Sequence, residues 1–179
     1  MLASMRPAPR KLATEEQLYT AALRALMRRA HSLYEMRQVL ERRAADERLV
    51  RHVLQRLKNE KLLDDARYAH QFARHRTESR RQGRFRIARD LRARGVPDRH
   101  IAAALDDTFS ETDEATLVRQ RLERRRKLLR GPLDERKLAA LYRSLLRAGF
   151  SSDVIRAELR ALARQDVPEL TEDTPANEE

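Results

Sequence analysis

The sequence predicts an all-α fold of three tandem three-helix repeats, and three observations carry that reading. No apolar stretch alternates with period two and holds the β-branched residues of a sheet. The apolar residues recur instead at intervals of three and four. Leu18, Ala22 and Leu26 make one stripe, as do Val50, Val53, Leu54 and Leu57. Leu138, Leu141, Tyr142 and Leu145 make another, and Ile155, Leu159 and Leu162 a last one. Finally, one turn recurs. Leu91, Gly95, Val96, Ile101 and Leu105 have the spacings of Leu145, Gly149, Phe150, Ile155 and Leu159, at an offset of 54. Leu40, Ala44, Ala45, Val50 and Leu54 repeat them at an offset of 51, with Ala in place of Gly.

Each element has a start or stop with a physical reason. Thr14-x-x-Gln17 and Ser32-x-x-Glu35 have capping-box spacing, in which each side chain satisfies a free backbone N–H of the other. Asp64, Asp98, Asp134 and Ser151 are further caps or first-turn residues. Gly95 and Gly149 follow helical stripes, where a left-handed residue ends a helix without Cβ strain, and Pro97 reinforces the first stop. Around each turn the order is a longer helix, a shorter helix ending at the turn, and a third helix. The expected division is a basic flexible leader over 1–13, repeats over 14–62, 63–109 and 110–165, and an acidic flexible tail over 166–179. One such repeat has little core of its own, so neighbours should stack into an array.

Composition narrows the function classes. The 179 residues carry 39 Lys and Arg against 28 Asp and Glu, a net charge of +11. Residues 166–179 hold six acids and no base, leaving +17 on residues 1–165. A basic body points to an anionic partner, with the tail able to compete for the same surface. Only five of the bases are Lys, and an Arg skew can also follow coding bias, so position matters more than abundance. There is no Cys, hence no disulfide frame or thiolate site, which fits a reducing compartment. No apolar run approaches the roughly 18 residues of a membrane span.

Catalytic, cofactor-binding and metal residues are expected to be absent. There is no phosphate-cradling G-x-x-x-x-G-K-[ST] loop. His70 and His75 are five apart, off the spacing that places two ligands on one helix face. Asp64-Asp65 and Asp106-Asp107 read as capping pairs. Two Arg clusters stand out. Nine Arg lie between Arg74 and Arg94, and six Arg with Lys127 between Arg119 and Arg130. Guanidinium forks suit carboxylate and phosphate alike. The contact candidates are Arg76, Arg80, Arg81, Arg84, Arg86, Arg89, Arg124, Arg125, Arg126 and Lys127, with Arg76, Arg80 and Arg84 expected along one helical face. Arg86 and Arg89 flank Ile87 and Leu91, which belong to the core. Tyr68, Phe72 and Phe150 read as core too, whereas Phe85, between Arg84 and Arg86, is the aromatic expected to be exposed.

Three segments in order resemble the RecX family of regulatory proteins. Ser32-Leu-Tyr-Glu35-Met36-Arg-Gln-Val39-Leu40 is similar to its S-x-x-E-L-x-x-K-L segment, departing at Met36 and Val39. Leu62 to Phe72 resembles L-D-D-x-x-[FY]-x-x-x-F, and Gly83 to Val96 resembles G-x-x-R-I-x-x-[ED]-L-x-x-x-G-[IV]. The resemblance covers about Ala13 to Arg164. It implies an elongated, curved body of helix-turn-helix-like repeats. It also implies a cytoplasmic, non-enzymatic regulator that acts as a monomer on the RecA filament and reduces its ATPase and strand exchange. DNA, single- or double-stranded, would be bound weakly and without sequence specificity. The alternative is an autonomous helix-turn-helix-like DNA-binding regulator, although Asp98 to Leu105 carries no convincing base-reading set.

Overall fold

The computed structural model describes residues 11–129 and 131–165. Among them are nine α-helices and one isolated parallel bridge, Leu12 with Ala44. The first three-helix group comprises α1 (Glu15–Arg28), α2 (Leu33–Glu41) and α3 (Glu47–Asn59). The second comprises α4 (Asp65–Arg80), α5 (Arg84–Arg92) and α6 (Asp98–Glu111), and the third α7 (Glu114–Arg126), α8 (Glu135–Ala148) and α9 (Ser152–Gln165). In the first two groups the middle helix is the short one, at nine residues; in the third it is as long as its successor, at 14. The acidic tail over 166–179, residues 1–10 of the leader and Arg130 lie outside the described residues.

The caps explain where the helices begin. Thr14 Oγ1 accepts from Gln17 N–H, and Ser32 and Glu35 form the reciprocal box. Asp64 accepts from Arg67 N–H and Asp134 from Lys137 N–H. Asp65 accepts instead from Leu33 N–H, so it caps a neighbouring helix rather than its own. Asp106 and Asp107 are not caps: α6 runs through them to Glu111, and Asp107 faces His70 at 3.4 Å. Gly95 and Gly149 take left-handed φ values of +68° and +90°.

By mutual contact the chain forms two compact units. Among the described residues, unit 1 holds those up to Arg80 together with Ile87–Glu111, and unit 2 holds Arg81–Arg86 and those from Thr112 onward. The cut passes through α5. Unit 1 buries Leu18, Met36, Leu40, Val53 and Leu57 in one core cluster and Ala69, Ile87, Leu91, Ile101 and Ala104 in another. Unit 2 buries Val118, Leu122, Leu145, Phe150 and Ile155. Each fully buried Leu or Ile contributes about 1.5–3 kcal/mol over an exposed one.

A recurring junction orders the groups. The carbonyl just before each turn position is bonded by an earlier stretch of chain. Arg43 O accepts from Leu12 N–H at 2.7 Å, and Arg94 O from Ser32 Oγ at 2.6 Å. Ala148 O accepts from Gly83 N–H at 2.9 Å. In unit 1, then, the turn of the second group seats on the start of α2. In unit 2, the turn of the third group seats on the segment entering α5. At the first turn, residues 11–13 take the place of that earlier stretch. Ala45 N–H returns a bond to Leu12 O at 2.9 Å, and Lys11 Nζ donates to Arg42 O at 2.7 Å. The last residues expected of the leader are thereby tied to the body.

Candidate interface for an anionic partner

In unit 2 the segment Arg81–Arg86 is held from two sides. Gly83 and Phe85 donate their N–H groups to Ala148 and Gly149, the latter at 3.0 Å. A Cβ on Gly83 would stand 2.3 Å from Gly149 O, so the two backbones touch only because residue 83 has no side chain. On the other side Arg81 Nε donates to Gln120 Oε1 at 3.2 Å, and Arg121 Nη1 donates to Arg81 O at 3.2 Å. Arg86 Nη1 donates to Arg147 O at 3.1 Å. Glu114 lies by the backbone of Arg84 and Ser151; burial raises its pKa, against the pull of the Ser151 N–H and the Arg84 charge.

This arrangement sorts the predicted Arg residues. Arg81, Arg84 and Arg86 are half-buried and engaged with unit 2's own structure. Arg124, Arg125 and Lys127 are exposed at the C-terminal end of α7, while Arg126 is half-buried and reaches Leu129 O. Arg119, in the same run, is bound by both oxygens of Glu158 at 3.0 and 3.1 Å and so ties α7 to α9. Sequence reasoning passed over Arg121. Its guanidinium is pushed down in pKa by burial first, then by the like charges of Arg125 and Arg81. Only the fold gathers those three, since α7 and residue 81 are far apart in sequence.

Unit 1 places the remaining candidates. Arg76 is half-buried on α4 with its guanidinium 4.8 Å from the Phe72 ring, Arg80 is exposed at the end of α4, and Arg89 is exposed on α5. The single helical face expected for Arg76, Arg80 and Arg84 does not exist. The helix stops at Arg80, Arg81 turns left-handed at φ +46°, and Arg84 opens α5. The apolar assignments hold: Ile87 and Leu91 are fully buried, Tyr68 and Phe150 are core, Phe72 is partly buried against that core, and Phe85 is 61% exposed.

A second polar cluster in unit 1 was not legible in the sequence. Glu35, 17% exposed, accepts from Arg29 at 2.8 Å and from Ser32 N–H at 3.2 Å, with Arg94 Nε at 3.9 Å. Burial works to raise its pKa, but Arg29, the Ser32 N–H and Arg94 outweigh that and hold it below the ordinary Glu value. Arg94 also stands 4.7 Å from the Phe72 ring. Together with Arg76, Gln71 and His75 these groups edge a cavity of about 470 Å³. Among the described residues, no group of three or more His, Cys, Asp or Glu could hold a metal, and no helix is long and apolar enough to cross a membrane.

Three successive three-helix groups that present cationic side chains at their surface define the class, an all-helical protein built of repeated three-helix groups. Comparison makes the class specific. Residues 64–105 match the family described as RecX, second three-helix domain. The chain is 39% identical over 155 residues to Regulatory protein RecX of Halorhodospira halophila, covering 86% of this chain and 93% of that protein. It is 35% identical over 135 residues to Regulatory protein RecX of Treponema pallidum strain Nichols, covering 75% and 79%. The fold is similar to the crystal structure of RecX from Lactobacillus salivarius, with TM-score 0.66, 21% identity and coverage of 83% and 96%. A second crystal structure, of regulatory protein RecX, gives TM-score 0.68 at 24% identity and covers 80% and 70%. The chain belongs to the RecX family of regulatory proteins.

Proposed function

We propose that this chain is a non-enzymatic regulator of the RecA recombinase, binding the RecA–DNA filament and reducing its ATPase and strand exchange. The observation that carries the reading is the family match across nearly the whole chain, at 39% identity over 86% of its length to a Regulatory protein RecX. The surface chemistry supports it. Arg89, Arg124, Arg125 and Lys127 project from helices whose opposite faces are core, and a protein–DNA filament offers phosphates and carboxylates to such groups. Inhibition then follows from binding, with no bond made or broken by this chain. Direct contact with DNA is weak and tracks phosphates rather than sequence.

Titrating the purified protein into RecA's DNA-stimulated ATPase is the test. The expected outcome is a saturable fall in rate. Charge reversal at Arg124, Arg125 and Lys127 should raise the half-inhibitory concentration at least tenfold, each charged contact being worth about 1.5–3 kcal/mol. An ATPase unchanged over a broad titration overturns the reading. Unchanged inhibition by the folded triple variant overturns the assignment of the contact to α7.

A further inference from the structure

Phe85 exposes an aromatic ring in the same unit that gathers Arg81, Arg121 and Arg125. Phe85 N–H is bonded to Gly149 O, but its ring is 61% exposed, because Ile87, Ala88 and Leu91 take the core face of α5. Its chain neighbours are Arg84 and Arg86, so the segment supplies no apolar rim for the ring. Nearby in the same unit, the Arg121 guanidinium is anchored on Arg81 O, and Arg81 Nε on Gln120. Arg121 thus stands in the field of Arg81 and Arg125, and such a gathering of like charge attracts a polyanion.

We infer that the Arg81–Arg86 segment and α7 form a platform for an unpaired nucleic-acid strand, with Phe85 stacking a base and Arg81, Arg121 and Arg125 holding phosphates. An acidic protein surface would satisfy the guanidinium groups but leave the ring among charges without an apolar partner. A nucleobase offers a flat π-face beside its own phosphate, and so matches both features at once. The inference deepens the DNA half of the proposed function, and it can be tested without RecA, so the two can fail separately.

The experiment is fluorescence anisotropy with labelled oligo-dT and an abasic deoxyribose-phosphate strand of equal length. Phe85→Ala should weaken oligo-dT binding roughly tenfold and leave abasic binding unchanged, while Phe85→Trp restores the oligo-dT affinity. Arg125→Ala should weaken both strands and reduce the salt slope by about 0.7. Circular dichroism checks the fold of each variant, and an exposed ring makes Phe85→Ala a mild change. Equal losses on both strands, or no loss on either, overturn the stacking role. Binding of poly-glutamate that falls equally with Phe85→Ala overturns the nucleic-acid assignment in favour of an acidic protein. Loss of oligo-dT binding with RecA inhibition intact leaves the inference standing and separates it from the filament contact.

Discussion

The two glycine turns do the same job by different means. In unit 1 the turn at Gly95 seats on side chains. Ser32 Oγ bonds Arg94 O, and a Cβ on Gly95 would meet Tyr34 Cβ and Cγ, each at 2.4 Å. In unit 2 the turn at Gly149 seats on backbone. Gly83 and Phe85 N–H groups bond Ala148 and Gly149, and a Cβ on Gly149 would stand 2.3 Å from Arg86 N. The residues that meet the turns are themselves offset equivalents: Ser32 and Tyr34 fall 51 residues before Gly83 and Phe85. One repeat position therefore holds a hydroxyl donor in one copy and a bare backbone donor in the other. A side-chain junction can be repaired by changing the partner residue; a backbone junction cannot.

The largest expected effect tests the backbone junction. Gly149→Ala combines a left-handed residue with a backbone clash, and Gly83→Ala brings the same clash from the other partner. Each should cost about 3 kcal/mol or more, read as a lowered denaturant midpoint for unit 2. A loss below about 1 kcal/mol would mean that this contact yields freely and the comparison is wrong.

Gly95→Ala comes next, at about 2–3 kcal/mol from its positive φ and the Tyr34 contact. Adding Tyr34→Ala should return part of that, since the ring is removed but the Cβ stays. No partner truncation should rescue Gly149→Ala. Equal rescue at both turns, measured by the same melts, would erase the distinction between them.

The smallest effect is the pH dependence that Glu35 gives unit 1. Glu35 is held below the ordinary Glu pKa, so its folded state binds a proton less readily than the unfolded chain. Its contribution is present above the unfolded pKa, near 4.5, and is lost as pH falls through the lower folded value. Glu35→Gln should therefore be less stable than the parent at neutral pH and approach it in acid. A stability difference that is constant from neutral pH to acid would exclude the ion pair as the cause.

Much of the fold was written in local patterns. Capping at Thr14, Ser32, Asp64 and Asp134, left-handed Gly95 and Gly149, and buried Ile87, Leu91 and Phe150 all follow from rules spanning a few residues. Less of the site was legible. Counting Arg along the chain joined Arg76, Arg80 and Arg84 across a helix break, because neither Arg81 nor Gly83 announces a turn set by a distant backbone. The meetings of Arg121 with Arg81 and of Glu35 with Arg94 were hidden for the same reason. Arg121 meets the Arg81 carbonyl 40 residues away, and Arg94 meets Glu35 from another helical group, so only packing brings those charges together.

By itself, then, the sequence determined the helices, their order, the repeat offset and the family, since hydrophobic period and turn chemistry act within a few residues. Tertiary structure decided the grouping into two units, the passage of the division through α5, and which cations are structural and which face water. Those outcomes depend on which backbones can approach one another and which charges are gathered there, and both are set by contacts far apart in the chain.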